Sequence, residues 1–186
     1  MNTEELESLL QAQTETPSVE FKGACHWDVT RLAKDILAIS NVQDGGHIII
    51  GVEDKTFARQ GVTAAQKATF ALETMCDQMT AYADPHVNFA VEFPIDANGK
   101  EYVVIKVYQF EEIPVICRRD GADVRAGVIY YRNKNRRIES AAVSNSYDMR
   151  DIIELATVRM MQRKQRFGYT VTADDKQKFD EELKGL

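Results

Sequence analysis

Metal-binding and disulfide patterns are what this chain most clearly lacks. Its three cysteines, Cys25, Cys76 and Cys117, stand far apart with no CxxC pair, and His26, His47 and His86 are just as scattered. That spacing argues against a disulfide framework and a cysteine or histidine zinc site, and it suits reduced thiols in a cytoplasmic protein. No stretch approaches the roughly 18 apolar residues of a membrane span, and the N-terminus is acidic rather than basic and apolar. There is no GxGxxG and no Walker lysine. Gly45 and Gly46 follow a predicted helix and precede a predicted strand. A phosphate-cradling loop needs the reverse order, so that helix N–H groups face the anion. ATP or nucleotide binding is therefore a distant alternative, and the glycine pair reads as a structural turn.

What is present fits one sizeable core: 186 residues, 44% of them apolar, with no internal repeat and no low-complexity tract. A net charge of −6 speaks at first against a polyanion partner. The distribution reverses that. Residues 1–115 hold 8 Lys and Arg against 18 Asp and Glu, whereas residues 116–166 hold 12 against 6. Salt screens fields over about 8–10 Å, so a basic lobe can meet phosphate on an acidic protein.

The periodicities predict alternating elements. Residues 3–12 read as a helix capped by Thr3, Val19–Lys22 is extended, and Asp28 or Thr30 caps a helix running to Ser40. The turn 43–46 leads into a strand over His47–Val52, where Gly51 marks a close backbone approach or a bulge. One amphipathic helix is expected over Ala64–Tyr82. Val87–Ile95 and Tyr102–Phe110 alternate around Asn98-Gly99 as a hairpin, and Pro114–Arg118 and Val128–Arg132 form a further pair around Asp120-Gly121. Ser146 caps a long helix to Arg166, and 172–186 read as a short charged helix. The expected architecture is α+β: a single domain over 1–145 with a mixed, largely antiparallel sheet packed by helices. A C-terminal extension over 146–186, a long helix and a charged tail helix, packs on or extends from the same domain.

Two sets of side chains carry chemistry. Arg118, Arg119, Arg125, Arg132, Lys134, Arg136 and Arg137 cluster around the predicted strand ends, and Arg159, Arg163 and Arg166 recur at i, i+4 and i+7 of the last helix. Such a set suits sequence-independent phosphate contacts. Glu15, Glu20, Glu53 and Asp54 lie near the ends of two elements expected to be neighbours. Converging carboxylates would need a cation such as Mg²⁺ or Mn²⁺; otherwise they are solvated acids with one ion pair to Lys22.

Glu20-Phe21-Lys22, Ala38-Ile39-Ser40-Asn41, the run from Gly45 to Asp54, and Gly61 resemble the Schlafen/AlbA-like signature in order and spacing. Ile113-Pro114-Val115, Tyr130-Tyr131-Arg132 and Ser140-Ala141 resemble its C-terminal half, so the likeness covers about residues 15–141. The resemblance implies a bacterial nucleic-acid-binding protein, DNA ahead of RNA, of a family described mostly as DNA-binding proteins or transcriptional regulators. In animal Schlafen proteins a related fold forms a ribonuclease core with three acids, which would fall here on Glu15, Glu20 and Asp54 as Mg²⁺ or Mn²⁺ ligands. That core pairs two lobes, so the resemblance also implies a homodimer as a way to supply the second. After Tyr131-Arg132 this chain reads Asn-Lys-Asn-Arg-Arg where the family has a small turn with glycine. Binding without catalysis is the first expectation, a metal-dependent endonuclease is the alternative, and a nucleotide-binding or protein-interaction module is a distant third.

Overall fold

Three consecutive isoleucines organise the protein. Ile48, Ile49 and Ile50 lie in the strand β2 (Gly46–Ile50), and all three are fully buried. Successive strand residues face opposite sides, so an unbroken apolar run requires cover on both faces. A computed structural model describing residues 1–132 and 138–168 shows that cover. On one face Ile48 and Ile50 join the core of α2 (Val29–Ser40) through Leu32, Ile36 and Leu37. On the other, Ile49 packs with Leu6 and Leu10 of α1 (Thr3–Ala12).

The sheet order is β1 (Val19–Lys22), β2, β5 (Val103–Val107), β4 (Phe89–Glu92). β1 runs parallel to β2 with α2 as the crossover, while β2–β5 and β5–β4 are antiparallel. The expected mixed, largely antiparallel sheet in an α+β domain is thus the observed one. Two short ribbons complete it: β3 (Ala83–Asp84) with β6 (Ile116–Cys117), and β7 (Tyr130–Arg132) with β8 (Ser140–Ala142).

Because β2 is apolar on both faces, burial alone does not fix its register. The glycine pair does. Gly45 has φ +67°, and a Cβ there would meet the Val107 carbonyl oxygen at 2.2 Å; one on Gly46 would meet the Ser18 carbonyl at the same distance. At the far end Gly51 (φ +112°) lies against the backbone of Gly61 and the Tyr102 ring, the close approach expected there.

Several expected elements differ. The helix expected over 64–82 is two: α3 (Ala64–Lys67) and α4 (Leu72–Thr80). The chain breaks at Thr69, whose hydroxyl donates to the Gln66 carbonyl (2.6 Å) and accepts the Trp27 N–H (2.8 Å). The break lets Phe70 enter the core, edge-on to Trp27. β6 pairs with β3 and also meets the 128–132 segment as expected, through an antiparallel bridge Ile116–Ile129 and the Cys117 N–H donating to the Val128 carbonyl (2.9 Å), while β7 takes β8 as its ladder partner. Asn2, not Thr3, caps α1, in a capping box with Glu5; Asn145, not Ser146, caps α5 (Ser146–Arg166). In α5 only Asp148, Ile152 and Ala156 are buried, so its first half is anchored and its second half overhangs the body. The expected helix over 172–186 lies outside the described residues. No helix among the described residues is long and apolar enough to cross a membrane.

Candidate nucleic-acid interface

A charged chain runs through the edge of the sheet at β1. Glu20 is buried, and its two carboxylate oxygens face different cations: Oε1 meets Lys22 Nζ and Oε2 meets Arg132 Nη1. Lys22 also holds Asp35 of α2 at 3.0 Å. Burial disfavours the Lys22 ammonium, but the Asp35 and Glu20 carboxylates outweigh it and raise its pKa. Arg132 is fully buried; its Nη2 donates to the carbonyls of Thr16 (3.0 Å) and Val19 (3.2 Å) and lies 4.0 Å from Glu15. Its Nε has no hydrogen-bond partner among the described residues. Glu15 accepts the Phe21 N–H at 3.3 Å. Burial first, and then the charge of Glu20, push the Glu15 pKa up to about 7, against the pull of the Phe21 N–H and Arg132.

Arg132 and two of the three candidate acids meet here. Arg132 was expected to meet phosphate; instead it is an interior cation that closes β7 onto β1. Strand parity does not set it apart, because Tyr131 on the opposite face of β7 is as buried as Tyr130; what holds Arg132 inside is Glu20, far upstream in the chain. The three acids meet only in part. Glu15 and Glu20 are neighbours, but Asp54 is exposed in the turn after β2. Among the described residues no three His, Cys, Asp or Glu side chains gather in a group that could hold a metal ion. With both Glu20 oxygens committed to Lys22 and Arg132, the donors as arranged do not fit Mg²⁺ or Mn²⁺.

Most of the other candidate basic residues among the described ones are exposed. Arg118, Arg119 and Arg125 are exposed on the connection from β6 to β7. Hydrogen bonds hold that loop in place: Arg118 N–H donates to the Tyr82 carbonyl (2.9 Å) and Arg125 N–H to the Tyr130 hydroxyl (2.8 Å). The Arg119 guanidinium lies 5.7 Å from the Tyr82 ring centre. On α5 Arg159 is half-buried and Arg163 and Arg166 are exposed. Arg163 pairs with Glu112, just upstream of β6. Residues 112 and 118 are at most about 20 Å apart along the chain, so Arg163 is tied to the same stretch of chain that leads through β6 to Arg118. Lys134, Arg136 and Arg137 lie outside the described residues.

Comparison with known proteins bears on this arrangement. The family described as Schlafen, AlbA_2 matches residues 15–140. The chain belongs to that family. No curated protein matches it. Among solved structures, the DIP2311 protein of Corynebacterium diphtheriae is similar at 16% identity with a TM-score of 0.51, over 78% of this chain and 27% of that one. The chain therefore spans about a quarter of that relative's length. The N-terminal domain of a RecG-related protein from Nitrosomonas europaea is similar at 16% identity with a TM-score of 0.49, over 78% of this chain and 96% of that domain.

Within this Schlafen, AlbA_2 domain, the buried Asn41 is a residue whose structural role sequence reading missed. Its Nδ2 donates to the carbonyls of Leu37 (3.2 Å), Val115 (3.0 Å) and Tyr130 (2.9 Å), and its Oδ1 accepts the Val115 N–H (2.8 Å). One amide thus ties the end of α2 to β7 and to the chain entering β6, the frame that carries Arg118, Arg119 and Arg125. A polar residue closing an apolar helix was the visible sign of a buried clasp.

Proposed function

We propose that this protein binds the phosphate backbone of nucleic acid, with DNA as the first target to test, through the arginines of segment 116–166. One observation carries the reading. Arg118, Arg119 and Arg125 are exposed and held on an anchored loop, and no acid among the described residues pairs with them. Unpaired guanidiniums on a fixed frame can take phosphate without first breaking an ion pair, and their fork geometry suits phosphate oxygens. Arg159 and Arg166 extend the same capacity along α5. The excess of acids over residues 1–115, 18 against 8 Lys and Arg, disfavours a polyanion there relative to the basic segment.

The nuclease reading draws no support from the arrangement of Glu15, Glu20 and Asp54. Binding of labelled DNA and RNA across about 50 to 200 mM salt, with Mn²⁺ or with chelator, separates the two. Five backbone contacts predict an affinity loss of about 10²–10³-fold over that range. A flat salt response would defeat the backbone reading. Cleavage that needs the metal and disappears in Asp54→Ala would replace it with the nuclease.

A further inference from the structure

A cavity of about 330 Å³ opens beneath the overhanging half of α5. Its floor is apolar and buried, formed by Val87, Phe110 and Val115. The Asn88 and Gln109 amides, which both donate and accept, line its sides. Two groups that stack on flat ligands, the Tyr108 ring and the Arg163 guanidinium, stand exposed at its edge. The Lys106 ammonium lies 5.4 Å from the Tyr108 ring centre and occupies one ring face. The volume is at the small end of ligand cavities, enough for one planar heterocycle rather than an extended chain.

Its position names the ligand. Arg163 has Arg159 one turn before it and Arg166 one turn after it on the same helix face. A polynucleotide tracking those arginines would pass the cavity mouth. The phosphate itself is kept out of the cavity, because Glu111 and Glu112 line it, the first accepting from Asn88 Nδ2 (3.4 Å) and the second paired with Arg163. A neutral ring meets no such repulsion, and amides and carboxylates suit the polar edge of a base. Bases in a duplex are paired and stacked, so only an unpaired one can turn in. We infer that this cavity takes one unstacked base of a single-stranded nucleic acid whose phosphates lie on Arg159 and Arg166. The inference rests on the proposed backbone binding and deepens it by naming single strands as the preferred target.

The test is fluorescence anisotropy with short labelled single strands of DNA and RNA and with the duplex of the same sequence, on wild type, Tyr108→Ala and Tyr108→Phe. Tyr108 is 44% exposed, and thermal melts confirm that each variant is folded. The expected result is tighter binding of a single strand than of the duplex. Tyr108→Ala then weakens the single strand by about 5- to 150-fold, Tyr108→Phe restores it, and the duplex is indifferent to both. Salt-dependent binding of all nucleic acids with Tyr108→Ala silent would overturn this inference and leave the backbone reading intact. No binding of any strand would overturn both. A free nucleoside monophosphate that binds as tightly as the strand, and competes with it, would make the cavity a mononucleotide site and overturn the strand inference.

Discussion

Arg132 and Glu20 are ion-paired inside the protein although 112 residues separate them in the chain. Arg132 is fully buried, Glu20 is 6% exposed, and the pair joins the β7–β8 ribbon to the outer strand of the main sheet. Truncating one partner of a buried pair strands the other charge at a typical cost of about 3–5 kcal/mol. Lys22 remains beside Glu20 and softens that loss. Arg132→Ala should therefore destabilise by about 3 kcal/mol in urea denaturation. The double variant Arg132→Ala/Glu20→Ala should cost less than the sum of the singles. Simple additivity would show that the two side chains are independent.

Asn41 offers a second test of the frame. Asn41→Ala leaves the Val115 N–H and the Tyr130 carbonyl without their side-chain partner, in a site with 0% exposure. Each buried polar group left unpaired costs about 1–3 kcal/mol, so a loss of about 3 kcal/mol is expected. Asn41→Asp keeps the acceptor for the Val115 N–H but replaces the donor with a carboxylate facing three carbonyls, and should be at least as harmful. A melting temperature unchanged in either variant would contradict the clasp.

Glu15 carries the pH dependence. Its folded pKa of about 7 lies above its ordinary value of 4.5, so between those values the folded state binds more protons than the unfolded state. Stability contributed by this group is present at low pH and is lost as pH rises from about 4.5 to about 7, after which the loss is complete. Glu15→Gln keeps an acceptor for the Phe21 N–H and removes the charge. It should be more stable than wild type at pH 8, and the advantage should shrink toward nothing near pH 4.5. An advantage independent of pH would show that burial and Glu20 do not act on this carboxyl.

Much of the fold was legible because several signals agree at the same residues. Two glycines, three isoleucines and another glycine mark a turn, a doubly covered strand and a tight exit, and the Asn98-Gly99 hairpin is marked by alternation on both sides. The break at Thr69 was not legible, because the apolar spacing of 64–82 continues across it. Only Trp27, 42 residues upstream, supplies the N–H that occupies the Thr69 hydroxyl. The site was legible as charge but not as direction. A count of basic residues treats Arg132 and Arg118 alike, whereas a buried carboxylate partner, Glu20, draws one inward. The cavity under α5 draws on residues from Ser40 to Arg163, and no local pattern announces such a meeting.

That contrast between inward and outward arginines gives the sharpest test of binding. Neutralising a surface arginine that meets phosphate weakens affinity about equally for every sequence and reduces the salt slope by about one. Arg118→Gln/Arg119→Gln should therefore lower the slope of log affinity against log salt by about two. The fold should barely change, since the Arg119–Tyr82 contact contributes about 0.5–1 kcal/mol at an exposed site. Arg163→Gln should reduce the slope less than either of those changes alone, because Glu112 already neutralises that guanidinium. Arg132→Ala, compared at a temperature where it remains folded, should leave the slope where it is. If the buried arginine moved the slope as much as the exposed pair, the connection from β6 to β7 would not be the surface that meets phosphate.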